Sequence, residues 1–258
     1  MEITGMLEEI LEALVAAGLY NNKSEAVRDA IRRLGEKIDL NNIALRVYME
    51  NRDMSFTRVL SITRLGFKEA VVYFIKHGFA PELGVVDKNE IESFFNSSNE
   101  ISDSGIILDL TSLEVFMETG LIEHLPKIAS ITSLIIPKSL EDYIRQIPLR
   151  YGLLYRKMLS LPGFRVEKAT VSSSSRGWLS MSEAEALKIA KKNNAIIISC
   201  DMRFRRQARI RGVKIAPGAS LALYMTKKTL VPRGFWRVFL ARAASIPVYM
   251  PEAVDRLV

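Results

Sequence analysis

Four acids stand where strand-to-helix junctions are expected. Asp109 follows the apolar run Ile106-Ile107-Leu108, and Asp201 closes the run Ile196-Ile197-Ile198-Ser199-Cys200. Glu183 opens the helical stretch before the second run, and Asp142 opens the helix after Leu134-Ile135-Ile136-Pro137, with Glu141 beside it. Ligands of an open parallel sheet bind at the carboxyl ends of its strands, so these acids are expected to meet at one edge. Gathered carboxylates repel and raise one another's pKa. A hard divalent cation resolves the conflict, and Mg2+ and Mn2+ prefer oxygen ligands. A cation so held can bridge a phosphate, generate a hydroxide nucleophile and stabilise a leaving oxygen.

The charge distribution points to the same substrate class. Residues 1–104 carry 12 basic and 17 acidic side chains, whereas residues 105–258 carry 24 basic and 12 acidic ones. A basic half suits a polyanion, most simply nucleic acid, and an acidic half on the same chain can shield it. Arg203, Arg205, Arg206, Arg209 and Arg211 crowd the stretch after Asp201. Arginine suits phosphate through its fork of donors, so these five are assigned to RNA backbone binding. With one cysteine and two histidines, a disulfide framework and a Cys- or His-rich zinc site are excluded.

Each acid also has an ordinary structural reading. Asp109 complements the dipole of the next helix, and Asp201 serves as an N-cap. Thr111 with Glu114, and Ser182 with Glu185, fit capping boxes. His77 and His124 read as structural, and the methionines as core filler.

The elements that must position these acids follow from periodicity. Residues 1–79 read as all helix, over about 7–15, 24–34, 40–51, 55–65 and 67–77. The last pair, joined at Gly66, is helix-turn-helix-like. Residues 80–104 read as a linker or docking segment, with the acidic amphipathic stretch 90–95 a candidate plug over the carboxylates. From Gly105, short β-branched runs at 106–108, 134–136, 164–166, 195–199 and 213–215 alternate with helices around 112–119, 139–159, 183–192 and 203–211. That alternation predicts an α/β fold with a mostly parallel sheet. Residues 172–175 read as a mobile loop. The tail from Ala219 reads as helical, with a last segment around 251–258.

The second half resembles a known family. Gly105-Ile-Ile-Leu-Asp109-Leu-Thr-Ser-Leu113 is similar to the opening motif of PIN-domain ribonucleases, the VapC-like toxins. Gly120-Leu-Ile-Glu-His-Leu-Pro-Lys127, Leu134-Ile-Ile-Pro137, Ser182-Glu-Ala-Glu-Ala-Leu-Lys-Ile-Ala190 and Ser199-Cys-Asp-Met-Arg-Phe-Arg-Arg-Gln-Ala208 resemble segments of one PIN subgroup, in the same order. The resemblance covers about 105–220. It implies a three-layer α/β/α PIN-like domain over 105–258 and a Mg2+- or Mn2+-dependent endoribonuclease, with Asp109, Glu183 and Asp201 holding the cation. The family's fourth acid falls at Tyr143, so Asp142 is the substitute, with Glu141 behind it. Cys200 and Ser182 depart from the family's Asp and Gly.

The first half has its own resemblance. Asn21-Asn-Lys-Ser-Glu-Ala-Val-Arg-Asp-Ala-Ile-Arg-Arg-Leu34 is similar to the second helix of ribbon-helix-helix, VapB-like antitoxins, and Ile43-Ala-Leu-Arg-Val-Tyr48 with residues 54–78 resembles a small helix-turn-helix antitoxin family. Together these imply a natural fusion: an antitoxin-like regulatory domain over 1–79 and a toxin-like nuclease. The candidate recognition helix, Lys68-Glu-Ala-Val-Val-Tyr-Phe-Ile-Lys76, is too apolar to read base edges well and suits a core or dimer interface.

The expected partners are RNA, DNA through the first domain, and further copies of the chain. The alternative is a non-catalytic, nucleic-acid-binding autoregulator with a degenerate PIN domain. A nucleotide-binding reading lacks the glycine-rich phosphate loop it needs. No apolar run reaches the roughly 18 residues of a membrane span, and no signal-peptide layout opens the chain. A soluble, cytoplasmic protein without membrane contact is expected.

Overall fold

The computed structural model describes residues 6–37, 39–84, 90, 94, 105–146, 158, 160–172 and 177–246. The expectations for 173–175, 251–258 and most of 90–95 lie outside them. The chain divides into two compact units, Met1–Arg46 and Val47–Val258. This division falls well before the expected boundary at 79/80.

In the first unit, α1 (Met6–Ala16) packs on α2 (Lys23–Lys37). The Tyr20 hydroxyl donates to Asp29 at 2.7 Å, and Lys23 pairs with Glu8 and Glu12. Ala26 is buried, and Ala30 and Ile31 are exposed.

The second unit is α/β. Its sheet has five strands, all parallel, in the order β3-β2-β1-β4-β5. These are β1 (Ile106–Leu108), β2 (Leu134–Pro137), β3 (Phe164–Glu167), β4 (Ile196–Ile198) and β5 (Ile215–Ala216). Stiff β-branched side chains favour the pleat, and β1, β2 and β4 are buried at every position. Continuous burial is what a parallel sheet covered on both faces requires. Ile107, Ile135 and Ile197 form one core with Leu187, Ile189, Phe204 and Ala208.

The helices between the strands are α6 (Leu110–Thr119), α7 (Leu125–Ala129), α8 (Lys138–Gln146), α9 (Met181–Asn193) and α10 (Met202–Ile210); α11 (Gly218–Lys227) and α12 (Phe235–Ala243) follow. No helix of the described residues is long and apolar enough to cross a membrane.

α4 (Phe56–Thr63) and α5 (Phe67–Lys76) lead into this unit, preceded by α3 (Leu40–Glu50), whose last residues belong to it. Tyr48, Phe56, Phe67, Phe74 and Phe79 join edge-on or tilted, with centroids 5.2 to 6.1 Å apart. Phe67 and Phe74 of the helix-turn-helix-like pair are therefore core residues. This aromatic cluster fixes the direction in which the start of α4 points.

Candidate active site

The sheet order places a switch point between β1 and β4. The chain steps outward from β1 to β2 and β3, then returns to the other side of β1. Ligand crevices form at such points, beyond the strands' carboxyl ends. Ile106, Ile107 and Leu108 stand opposite Ile196, Ile197 and Ile198, so Asp109 and Ser199 leave the sheet side by side. The helix before β4 runs back against the strands, so α9 begins at this same end and carries Glu183 in its first turn.

Asp109, Glu183 and Asp201 are all buried, at 3%, 1% and 0% exposure. The Ser199 hydroxyl donates to Asp109 Oδ2 at 2.6 Å and accepts the Asp201 N–H at 3.1 Å. Thr111 Oγ1 also donates to Asp109 Oδ2, at 2.8 Å. One hydroxyl thus joins the Asp109 carboxylate to the Asp201 backbone, and the Asp201 charge acts on Glu183.

The charges register this crowding. Burial raises the Asp109 carboxyl above its ordinary value. Burial, with Asp201 beside it, pushes Glu183 up to about 8. Asp201 rises to about 6 through burial and the Asp109 charge, opposed by the N–H groups of Phe56, Phe204 and Arg203.

Every one of these acids also caps a helix. Asp109 accepts the Ser112 N–H at 2.8 Å at the start of α6. Asp201 accepts the Arg203 and Phe204 N–H groups at the start of α10. Glu183 completes a capping box with Ser180 at the start of α9. The box expected from Ser182 and Glu185 therefore lies two residues earlier, because the chain bends into the helix at Ser180. Glu185 instead ties three segments together, accepting from the Ser139 N–H and hydroxyl and the Ala169 N–H. At α6 the cap is Asp109, not Thr111, and Glu114 is buried.

Two further groups meet the acids, and neither was singled out in the sequence. The Ser55 hydroxyl donates to Glu183 Oε2 at 2.5 Å, and the Phe56 N–H donates to Asp201 Oδ2 at 2.6 Å. Ser55 is the N-cap of α4, so this is the helix's positive end facing two carboxylates. The only local signal is a Ser before a helix. Nothing near it in sequence announces a partner 128 residues away. Of the segment expected over the acids, 90–95, the described residues are Glu90, which pairs with Arg205, and Phe94, which meets the Tyr224 ring edge-on at 6.1 Å.

The arginines are differently placed from an open basic face. Arg203 and Arg205 are buried. Arg203 lies 3.6 Å over the Tyr48 ring, donates to the Tyr48 and Asn51 carbonyls, and pairs with Glu82 at 3.0 Å. Arg205 donates to the Ser199 carbonyl and pairs with Glu90. Arg206 pairs with Glu82, Arg209 with Glu90, and Arg211 bonds Gln207. Asp142 is half-exposed and pairs with Lys138 at 2.7 Å, and Glu141 pairs with Lys138 and Arg145. Neither joins the three buried acids in a shared hydrogen bond among those the structure shows. Cys200 faces Gly218 and Phe116, and burial pushes its thiol up to about 12.

A hard cation suits the donor chemistry, but not this arrangement. Among the described residues no group of three or more His, Cys, Asp or Glu side chains is disposed to hold a metal ion. Both oxygens of Asp109 and of Asp201, and Oε2 of Glu183, already accept from protein donors. Buried Glu183 Oε1 has no partner. Comparison with family models, curated proteins and solved structures finds no match to this chain.

Proposed function

We propose that the chain is an endoribonuclease of the PIN type, hydrolysing RNA phosphodiester bonds, with its acid centre held shut. The observation that carries this reading is the burial of three mutually repelling carboxylates at the switch point of a parallel sheet. Capping alone does not account for them. Asn or Ser caps a helix about as well as Asp, without the several kcal/mol that burying an ionised carboxylate costs. Strongly raised carboxyl pKa values in one buried cluster mark functional centres. The cofactor belongs to this proposal: Mg2+ or Mn2+ would supply charge neutralisation, and would need the acids freed from their present donors. RNA is the proposed substrate and the basic half its docking surface. A regulatory role for residues 1–79, toward DNA or this same site, is part of the same reading.

The test is RNA cleavage by the full chain with and without MnCl2. Asp109→Asn is expected to abolish metal-dependent cleavage while keeping the fold, since Asn caps α6 equally. Cleavage unchanged in that variant would remove the assignment. One observation favours a second reading, a non-catalytic nucleic-acid-binding autoregulator: all three acids have capping work. That reading expects no Mn2+ uptake by calorimetry and no cleavage under any condition.

A further inference from the structure

We propose that Trp178, beside the acid centre, is a stacking platform for a base of single-stranded RNA. The inference rests on the nuclease reading above and names the form of RNA that the site takes.

Trp178 stands apart from the other aromatic residues. Among the described residues it is the one aromatic side chain left exposed, at 47%. A tryptophan ring brings a large apolar face, so leaving it in water forgoes the stabilisation that burial would give. The backbone beneath it is fixed nonetheless. Leu179, the next residue, is buried in the same core as Ile107, Ile135 and Ile197. The Trp178 carbonyl accepts the Ser55 N–H at 3.4 Å, and Ser180 caps α9. Gly177, just before it, holds φ at 58°, in the left-handed region that glycine adopts freely. The ring is thus carried on a pinned stretch of chain and stays open to solvent. An anchor whose backbone is ordered before a ligand arrives loses less entropy on binding.

Its position selects the partner. Glu183 Oε2 accepts the Ser180 N–H at 2.8 Å and the Ser55 hydroxyl at 2.5 Å. Ser55, which bonds the Trp178 carbonyl, and Ser180, two residues after Trp178, are therefore the same residues that bond Glu183. The charge nearby suits a polyanion. From Lys168 to Ser182 the chain carries two basic residues and no acid. Lys168 and Lys188 are exposed, and Lys188 is tied to this segment through the Thr170 carbonyl at 2.6 Å. On α10, by contrast, Arg203 and Arg206 are engaged by Glu82, and Arg205 and Arg209 by Glu90. The segment before α9 is the better placed of the two for RNA phosphates.

The form of RNA follows from the geometry of stacking. A base inside a duplex has both faces covered by its neighbours, and proteins read double-stranded RNA by shape across the minor groove. An exposed ring offers its face to a base that has left its stack. Every base has such a face, so the contact selects strand form and tolerates sequence.

The test uses the full chain in EDTA, with poly(U) as the single strand and a poly(A)·poly(U) duplex as the comparison. The chain has two tryptophans, and Trp236 is buried, so emission reports on Trp178 by difference. Poly(U) is expected to quench the wild type and to leave unchanged Trp178→Phe, which emits from Trp236 alone. The duplex is expected to leave both unchanged. By filter retention, Trp178→Ala is expected to bind poly(U) about tenfold more weakly than the wild type, and Trp178→Phe about as well as it, since a phenyl ring still stacks. Circular dichroism confirms the fold of each. Equal affinity of the wild type and Trp178→Ala for poly(U) overturns the platform and leaves the nuclease reading standing. Equal quenching by the duplex overturns the single-strand assignment. Emission that shifts on dilution of the protein alone, with no response to poly(U), overturns the platform in favour of a contact between copies of the chain. Failure to bind either RNA at low salt overturns both the platform and the nuclease reading. If Trp178→Ala does not fold, the quenching difference between the wild type and Trp178→Phe decides alone.

Discussion

Glu183 shows what a single residue can report. Its carboxyl sits at about 8 in the folded chain against an ordinary value near 4.5. Between these two pH values the folded state holds the extra proton, so stability is greatest below about 4.5 and falls as pH rises to about 8. Asp201, raised to about 6, adds a fall in the lower part of that window. Glu183→Gln carries no titrating proton. Its urea midpoint is expected to fall less than the wild type's between pH 6 and 8, and to exceed it at pH 8. A parallel decline in both proteins would contradict the assignment. Cys200 gives a second residue-scale outcome. With its thiol buried and raised to about 12, it is expected to resist maleimide in the folded protein and to react fully in denaturant, because the thiolate is the nucleophile.

At the scale of elements, the starts of α4, α6, α9 and α10 carry the buried acids and their donors, and packing behind them sets their aim. Gly218 opens α11 where a β-carbon would lie 2.6 Å from Cys200 Sγ and 3.1 Å from Phe116. Gly218→Ala is expected to cost about 1–3 kcal/mol through overpacking. Cys200→Ala in the same chain should recover part of that loss, read as a coupling in a double-mutant cycle of urea midpoints. Phe74 lies in the aromatic cluster behind α4. Phe74→Ala is expected to cost about 3–5 kcal/mol and also to speed amide exchange at Phe56, since the start of α4 loses its backing. Local sequence made the extent of these helices legible. Helices expected at 55–65, 183–192 and 203–211 occur at Phe56–Thr63, Met181–Asn193 and Met202–Ile210. Which residue caps each one was less legible, because the bend into a helix depends on the strand or loop before it, as at Ser180.

At the scale of the whole molecule, the unit boundary at 46/47 has a mechanical consequence. Starting the chain at residue 40 keeps α3 whole, and the remaining piece is expected to unfold in one cooperative transition by calorimetry. Starting the chain at residue 105 instead strips Tyr48, Ser55, Phe56, Leu83 and Glu90 from buried surfaces. It leaves Arg203 and Arg205 without their carboxylates, and leaving a buried charge unpaired costs about 3–5 kcal/mol. That shorter piece is expected to melt far lower or to aggregate. A midpoint equal to that of the piece starting at residue 40 would refute the integration of residues 47–84 into this unit.

The sequence by itself determined the parallel α/β alternation and the position of Asp109 and Asp201 after buried isoleucine runs, because periodicity, β-branching and chain direction are local properties. Only the tertiary structure decided that the start of α4 donates to Glu183 and Asp201, and that Arg203 and Arg205 of α10 are buried against Glu82 and Glu90. Those outcomes depend on which distant donor meets which acceptor once water is excluded, and a hydrogen bond between Ser55 and Glu183 leaves no periodic trace in either segment.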